Sequence, residues 1–247
     1  MLKMWNPWHG CHKISEGCLN CYMHRGDAKR GVESSIIQKT LNFDLPIQRK
    51  KRSGDYKIQP GTEVATCFTS DFFLKEADEW RVEAWQMIRE RQDLRFLMLT
   101  KRIDRFHIAL PNDWGDGYEN VTIGTTVENQ KRADHRLAIF KELPIKHKLI
   151  TCSPLLEDID LSKYLGTWVD EVVVTGESGY DVARVCDYDW ILKIREACIQ
   201  ANVSFTFRQT GSKLLKNGKL HTISRWHEFS QAKKAGINFK QKKEILY

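Results

Sequence analysis

The stretch "RFLMLTK" at residues 95–101 is an apolar run that ends in polar residues. Its apolar side chains follow one another almost without alternation, which is typical of a parallel strand covered on both faces. Similar runs occur at "EVATCFTS" (63–70), "VTIGTTVE" (121–128), "KLITCSP" (148–154), "EVVVTGE" (171–177) and "SFTFRQTG" (204–211). We therefore predict a sheet of parallel strands.

Segments with helical periodicity lie between or after these runs. They cover residues 78–91, 129–143, 187–201 and 225–235. In the first of them Val82, Trp85 and Ile88 fall on one stripe, the pattern of a helix that buries one face. Because repeated strand–helix units build parallel sheets, we predict an α/β fold whose sheet is open or curled into a barrel.

Polar residues and a glycine mark the ends of two of these helices. Asp187 or Asp189 is placed to cap the third helix. Ser224 is placed to open the last helix, and Gly236 to end it. Since no segment reads as a strong linker, we predict a single domain over residues 1–247.

Composition limits the class of protein. The 247 residues are 41% hydrophobic, which is typical of a globular chain. The net charge of +7 is compatible with a nucleic-acid or nucleotide substrate, and equally with a solvated basic surface. No run approaches the roughly 18 apolar residues of a membrane span, and the N-terminal segment is too polar for a signal peptide. We expect a cytoplasmic protein with no membrane partner.

The seven cysteines are not expected to form disulfides in a reducing compartment. Four of them are predicted to be small buried side chains: Cys67, Cys152, Cys186 and Cys198. The other three lie within the stretch "WNPWHGCHKISEGCLNCYMHR" (5–25) in the spacing C-x6-C-x2-C: Cys11, Cys18 and Cys21. A short strand near residues 4–7 would place their loop, residues 8–25, at the carboxyl edge of the sheet, where α/β folds bind ligands.

Two kinds of metal site suit three clustered thiols. A structural zinc ion takes four ligands, and Cys11, Cys18, Cys21 and His24 offer such a set. An iron–sulfur cluster is held by thiolates, and three of them would leave one iron for a small-molecule ligand. The spacing alone leaves both interpretations open.

The stretch 5–25 resembles the opening of the phage Gp37/Gp68-like family, a DUF5131-type group related to radical SAM enzymes. The resemblance continues along most of the chain. Further blocks occur in the same order: "LMLTKRIDRF" (97–106), "IGTTVENQKRADHRL" (123–137), "TGESGYDVARVCDYDWILKIREAC" (175–198) and "FRQTG" (207–211).

The resemblance implies a radical SAM-like, partial or complete (β/α) barrel of the TIM-barrel type. It implies a [4Fe–4S] cluster on Cys11, Cys18 and Cys21, with S-adenosylmethionine bound to the fourth iron. An electron from an external donor would cleave S-adenosylmethionine into methionine and a 5′-deoxyadenosyl radical, which removes hydrogen from an unreactive carbon. A nucleic-acid or nucleotide substrate is suggested by the charge and by the phage-type family.

Two features depart from the usual radical SAM motif. The first gap between cysteines has six residues instead of three. The usual aromatic residue before the third cysteine is replaced by Asn20, and the aromatic residue, Tyr22, comes after it. Tyr22 is thus the candidate for an adenine contact.

By position, polar residues at the strand ends correspond to groups that bind S-adenosylmethionine in radical SAM proteins. Ser70 and Asp71 would accept from its ammonium group, and Lys101 or Arg102 would pair with its carboxylate. Glu128 would bind the ribose hydroxyls or the amine. The remaining candidates at strand ends are Thr125, Gly176 and Glu177.

Two other functions compete with this interpretation. One is a zinc-stabilised module that binds nucleic acid without redox chemistry. The other is a barrel that acts as a non-catalytic partner subunit. Metal content measured under exclusion of oxygen separates the first from an iron–sulfur enzyme, and formation of 5′-deoxyadenosine separates the second.

Overall fold

The structure is a computed structural model that describes residues 2–242. The chain divides into two compact units, each built from several segments. The first unit comprises Met1–Ile14, Met23–Thr125 and Glu142–His147, and the second comprises Ser15–Tyr22, Thr126–Lys141 and Lys148–Tyr247. The single domain over residues 1–247 stays a prediction.

The described part of the first unit, from residue 2, contains parallel strands and two α-helices, with one end residue of α1 and of β6 outside the unit. Its elements are β1 (Leu2–Trp5), β2 (Trp8–His9), α1 (Tyr22–Lys29), β3 (Gln38–Lys39), β4 (Glu63–Thr66), α2 (Asp78–Glu90), β5 (Arg95–Thr100) and β6 (Val121–Thr126). The parallel strands lie in the order β1-β4-β5-β6, and Ala65 is opposite both Met4 and Leu97. The short strands β2 and β3 form an antiparallel pair.

The described part of the second unit, up to residue 242, contains two sets of paired strands and three α-helices, with one end residue of α3 and of β7 outside the unit. Its elements are α3 (Gln130–Glu142), β7 (His147–Cys152), β8 (Glu171–Thr175), β9 (Cys186–Asp187), α4 (Tyr188–Gln200), β10 (Ser204–Gln209), β11 (Lys213–Lys216), β12 (Lys219–Thr222) and α5 (Glu228–Lys234). Strands β7, β8 and β10 are parallel neighbours in that order. Strands β12, β11 and β9 form a smaller sheet.

The prediction of an α/β fold with parallel strands is confirmed. All six predicted apolar runs contain a strand, and the short first strand is β1. Burial on both faces, predicted from the apolar runs, holds in β4, where Val64, Ala65 and Thr66 are all completely buried, but in β5 buried residues alternate with the half-buried Leu97 and Leu99. Between residues 2 and 242 no helix has the length and apolar character that crossing a membrane requires.

Helix α2 corrects one prediction. Val82 is 47% exposed, whereas Trp85 and Ile88 are buried. Arg81 is completely buried on this stripe together with Ile88, and its guanidinium donates to the carbonyl of Phe72 at 2.8 Å. A purely apolar pattern missed this arginine because its charged group is satisfied by backbone carbonyls and by an aspartate of the same helix.

The helix ends were predicted with mixed success. The side chain of Asp187 accepts from the backbone N–H of Asp189 at 2.9 Å and caps α4 as expected. Helix α5 begins later than predicted, and Ser224 does not cap it; its hydroxyl lies 2.9 Å from Nδ1 of His227. Gly236 follows α5 with a φ of 64°, the left-handed conformation of a helix terminus.

Candidate functional site

The first unit holds the segment with Cys11 against the chain that follows β4. The N–H of Gly10 donates to the carbonyl of Thr69 at 3.2 Å, and the hydroxyl of Ser70 donates back to the carbonyl of Gly10 at 2.5 Å. The N–H of Cys11 donates to the carbonyl of Ser34 at 2.8 Å. Cys11 therefore lies beside the carboxyl end of β4, the edge predicted from the sequence.

Two tryptophans fix the chain just before Cys11. Trp5 and Trp8 are both completely buried. The indole of Trp5 donates to the carbonyl of Phe43 at 2.9 Å, and that of Trp8 donates to the carbonyl of Asp71 at 3.2 Å. Each ring thus satisfies its polar atom within the core, as a buried tryptophan requires.

A guanidinium group lies next to Cys11. Nη1 of Arg102 is 3.7 Å from Sγ of Cys11 and 3.1 Å from Oδ2 of Asp71, and Nη2 donates to the carbonyl of His12 at 2.8 Å. Burial by itself would lower the pKa of Arg102, but Asp71 and Cys11 beside it raise the pKa above its usual value. The guanidinium is therefore a fixed positive charge at the sulfur. We call Cys11, His12, Asp71 and Arg102 the Arg102 cluster.

The carboxylate of Asp71 accepts several hydrogen bonds and orients Arg102. Its Oδ1 accepts from the hydroxyl of Thr100 at 2.7 Å and from the N–H of Phe73 at 3.0 Å. Its Oδ2 accepts from the N–H of Lys101 at 3.0 Å and from Arg102. Both oxygens of the predicted ammonium acceptor are thus engaged by the protein itself.

Lys101 and Thr125 end neighbouring strands of this unit. Thr125, a predicted cofactor residue, is completely buried at the end of β6. The side chain of Lys101 is half-buried, and its ammonium forms no ion pair or hydrogen bond with any residue in the described range 2–242. Lys101 therefore keeps an uncommitted positive charge that suits a carboxylate ligand.

The second unit contains Cys18 and Cys21 in a compact turn. The N–H of Cys18 donates to the carbonyl of Ser15 at 2.9 Å, and the N–H of Cys21 donates to the carbonyl of Cys18 at 3.3 Å. The hydroxyl of Ser15 lies 3.7 Å from Sγ of Cys18. We call residues 15–22 the cysteine turn.

Helix α3 supports the start of the cysteine turn through an ion pair. Nε of Arg132 donates to a carboxylate oxygen of Glu16 at 3.0 Å. This hydrogen bond lowers the pKa of Glu16 to about 2. Arg184 donates to the carbonyl of the same residue at 3.0 Å. Two arginines therefore hold the residue that comes two positions before Cys18.

Glu128, the predicted ribose or amine ligand, is completely buried behind the cysteine turn. Its Oε2 accepts from Nη1 of Arg136 at 2.7 Å, and its Oε1 lies 3.4 Å from the N–H of Gly17. A Cβ added at Gly17 would lie 3.1 Å from Cδ of Glu128, so the glycine permits this close approach. Both oxygens of Glu128 are directed to protein groups.

Glu177 ties the other end of the cysteine turn to the chain that follows β8. Its carboxylate accepts from the amide of Asn20 at 3.1 Å and from Nε of Arg184 at 2.9 Å. Burial alone would raise the pKa of Glu177, but the hydrogen bonds from Arg184 and Asn20 outweigh it and lower the pKa below its usual value. Asn20 also donates to the carbonyl of Val182 at 2.7 Å. The asparagine that departs from the usual motif therefore anchors the turn.

Gly176 was predicted to let a ligand approach the backbone. Here the approaching group is the chain itself, because a Cβ added at Gly176 would lie 2.1 Å from the carbonyl oxygen of Thr210 and 2.9 Å from the N–H of Gly211. The N–H of Gly176 donates to the carbonyl of Gln209 at 3.0 Å.

Replacing Gly176 with alanine should lower the free energy of unfolding by about 3 kcal/mol, because the new methyl group meets rigid backbone. Urea unfolding followed by circular dichroism measures this difference. Gly166→Ala is the matched control, since its Cβ would make only ordinary contacts with Trp168 at 3.7 Å. Equal stability of the two variants would contradict the close packing at Gly176.

The seven thiols differ in their surroundings. Cys11, Cys18 and Cys21 are half-buried, whereas the other four are buried as predicted: Cys67, Cys152, Cys186 and Cys198. Burial raises the pKa of both Cys186 and Cys198 to about 12, and it also raises the pKa of Cys67 and of Cys152 above the usual value of a thiol. These four are therefore held as thiols, while thiolates are the form that binds metals.

The possible metal ligands of the chain are its histidine, cysteine, aspartate and glutamate side chains. In the part of the chain from residue 2 to 242, no three His, Cys, Asp or Glu side chains are grouped to hold a metal ion. His9 and His12 each lie with Nε2 2.9 Å from a carboxylate, that of Asp27 and that of Glu76. Tyr22, the candidate for an adenine contact, is 53% exposed. The assignment of the three cysteines as ligands stays a prediction.

The sequence did not reveal the arginines that support these cysteines. Arg132, Arg136 and Arg184 appear in the sequence as ordinary helix or loop charges. Arg132 and Arg136 are four residues apart in α3, and this spacing predicts that they lie on one face of the helix. Nothing in the local sequence indicates which face meets Glu16 and Glu128.

The fold and these contacts define an α/β protein whose N-terminal cysteines lie beside residues that follow parallel strands. Residues 2–243 match the family described as "Protein of unknown function (DUF5131)", and the chain belongs to this family. The family predicted from the sequence is thus confirmed, whereas the match provides no link to radical SAM enzymes. Comparison with curated proteins and with solved structures gave no match.

Proposed function

We propose that this protein is a radical SAM-like iron–sulfur enzyme with a (β/α) barrel. Cys11, Cys18 and Cys21 would hold a [4Fe–4S] cluster, and S-adenosylmethionine would bind the fourth iron. When bound, the cluster and S-adenosylmethionine supply a 5′-deoxyadenosyl radical that removes hydrogen from the substrate. The observation that carries the proposal is the contrast among the thiols: these three are half-buried beside polar strand ends, and the other four are buried.

The residues around the cysteines have roles that fit this chemistry. Thiolate ligands give an iron–sulfur cluster a negative environment, and Arg102 supplies a positive charge 3.7 Å from one of the sulfurs. Lys101 offers its ammonium to the carboxylate of S-adenosylmethionine. Glu128 and Glu177 keep the cysteine turn in place instead of contacting the ligand. The donors present therefore suit an iron–sulfur cluster.

Purification under strict exclusion of oxygen tests the proposal. We expect a brown protein with about four iron atoms and four sulfides per chain. After reduction, incubation with S-adenosylmethionine should yield methionine and 5′-deoxyadenosine. A colourless protein with a single zinc ion would overturn the proposal in favour of a zinc-stabilised module. A cluster that never produces 5′-deoxyadenosine would indicate a non-catalytic partner subunit.

Replacing Arg102 with lysine should make the reduction potential of the cluster more negative, on the order of tens of millivolts. Lysine keeps the charge beside Asp71 but loses the planar fork that reaches both the sulfur of Cys11 and the carbonyl of His12. A redox titration followed by electron paramagnetic resonance measures the shift. The control is Arg95→Lys, an exposed arginine of the same unit. An unchanged potential at full iron content would contradict the role of Arg102.

A further inference from the structure

The second unit exposes two aromatic side chains at the start of α5. Trp226 is 88% exposed and Phe229 is 60% exposed. An indole is costly to leave in water because it carries one of the largest apolar surfaces of any side chain. Trp226 lies in a turn closed by the hydrogen bond from the N–H of His227 to the carbonyl of Ser224, at 2.8 Å. The local backbone therefore holds the ring at the surface.

Positive charges flank this aromatic pair. Arg225 is adjacent to Trp226, and Lys233 lies one helical turn after Phe229, on the same side of α5. Neither basic side chain forms an ion pair with any residue of the described chain, 2–242. Both charges therefore point to solvent and have no competing carboxylate.

The strand hairpin before α5 extends the basic character. Strands β11 and β12 are joined at Asn217 and Gly218, whose φ values of 52° and 72° are those of a tight hairpin turn. All four residues of β12 are exposed, and Lys219 begins that strand at the tip. Residues 213–227 contain three lysines, one arginine and two histidines but no aspartate or glutamate.

The nearest carboxylate along the chain does not cancel this charge at the surface. Glu228 is only 3% exposed. Its carboxylate accepts from the hydroxyl of Ser212 at 2.7 Å and from the hydroxyl of Ser178. The acidic group is therefore turned into the second unit. We call Arg225, Trp226, Phe229 and Lys233 the Trp226 surface.

We propose that the Trp226 surface binds single-stranded nucleic acid. Exposed aromatic rings stack on unpaired bases regardless of sequence, and nearby lysines and arginines neutralise the phosphates. A duplex would hide its base faces from Trp226. The bound strand would also be the substrate of the proposed enzyme, and this second step alone rests on the proposed function.

Fluorescence anisotropy with a labelled single-stranded oligonucleotide tests this binding. We expect Trp226→Ala to weaken binding about 5-fold to 150-fold, the loss of one stacked base, and Trp226→Phe to recover most of it. Because Trp226 is exposed, circular dichroism should show an unchanged fold. Affinity of Trp226→Ala within twofold of the original protein would overturn the stacking role.

The salt dependence tests the phosphate contacts. Lys233→Gln and Arg225→Gln should each reduce the slope of log K against log salt concentration by about 0.7, the value for one phosphate contact on a single strand. The matched control is Lys131→Gln, an exposed lysine of α3 that makes the same change in charge. An equal reduction in the control would show that binding is not localised to this surface and would overturn the proposal.

Competitors separate the alternatives. Single-stranded DNA and RNA of equal length should both displace the probe, and a duplex should do so less well. Polyphosphate that competes as well as the oligonucleotide would overturn base stacking. The protein could instead fail to bind the oligonucleotide and associate with itself, and Trp226→Ala could abolish this self-association. That result would identify the Trp226 surface as a protein interface.

Iron content measured on the same samples keeps the two proposals distinct. If the protein carries the cluster but does not bind the strand, only the proposal that the Trp226 surface binds nucleic acid is overturned. If the protein binds the strand through Trp226 but contains no iron, only the proposal of an iron–sulfur cluster is overturned.

Discussion

Replacing Cys18 with alanine should reduce the iron content of protein purified without oxygen from about four atoms per chain to nearly none. A cluster held by three thiolates loses a third of its protein ligands, and no other described thiol of the second unit besides Cys21 is half-buried. The fold should persist, because the cysteine turn is held by Glu177 and Arg132 and not by the sulfur. Iron analysis and circular dichroism measure both effects.

The matched control for this experiment is Cys198→Ala. Cys198 is completely buried on α4 and should retain the full iron content after its replacement. Each of the two variants loses one thiol. A difference in their iron content therefore shows whether the thiol that was removed was a ligand or a core side chain. Full iron loading in Cys18→Ala, or equal loss in both variants, would refute the ligand assignment.

Replacing Glu128 with alanine should lower the free energy of unfolding by about 3–5 kcal/mol. The change leaves the guanidinium of Arg136 buried without its carboxylate, since the side chain of Arg136 is only 4% exposed. Urea unfolding measures the loss. The pair Asp158 and Lys193 is the control: it is exposed, so Asp158→Ala should cost less than about 1 kcal/mol.

A double variant distinguishes structural support from ligand binding at Glu128. Glu128→Leu combined with Arg136→Met removes both charges and should recover much of the stability lost by Glu128→Ala. S-adenosylmethionine affinity of the double variant should then be close to that of the original protein. Stability unchanged by Glu128→Ala, with affinity lost, would show that this carboxylate is a ligand after all.

Local chemistry explains why much of the fold was predictable. Each of the six main strands is a short apolar run, and a strand's pattern depends on its own residues and on burial at both faces. Asn217-Gly218 is a common hairpin turn with an equally local sequence signal, although the hairpin that it closes was not predicted from the sequence. The exposed Val82 and the buried Arg81 show the limit, because an arginine can be buried only when particular carbonyls surround it.

Some features of the candidate site were likewise predictable from the sequence, and others were not. The spacing of Cys11, Cys18 and Cys21 is visible in one short stretch, and so is the set of metals that such thiols bind. The partner of Cys11, Arg102, is 91 residues away, and Asn20 meets Glu177 across 157 residues. No periodicity relates residues so far apart.

Thus the order of residues established the strands, the helices and the group of three thiols, since each depends on neighbours within a few positions. It also established the family, through blocks spread along residues 2–243. Tertiary structure established that Asp71, Glu128 and Glu177 support the cysteines and that Trp226 stays in solvent. A buried carboxylate takes its partner from whichever strand or helix packs against it. That choice depends on the packing of distant segments, which local patterns do not encode.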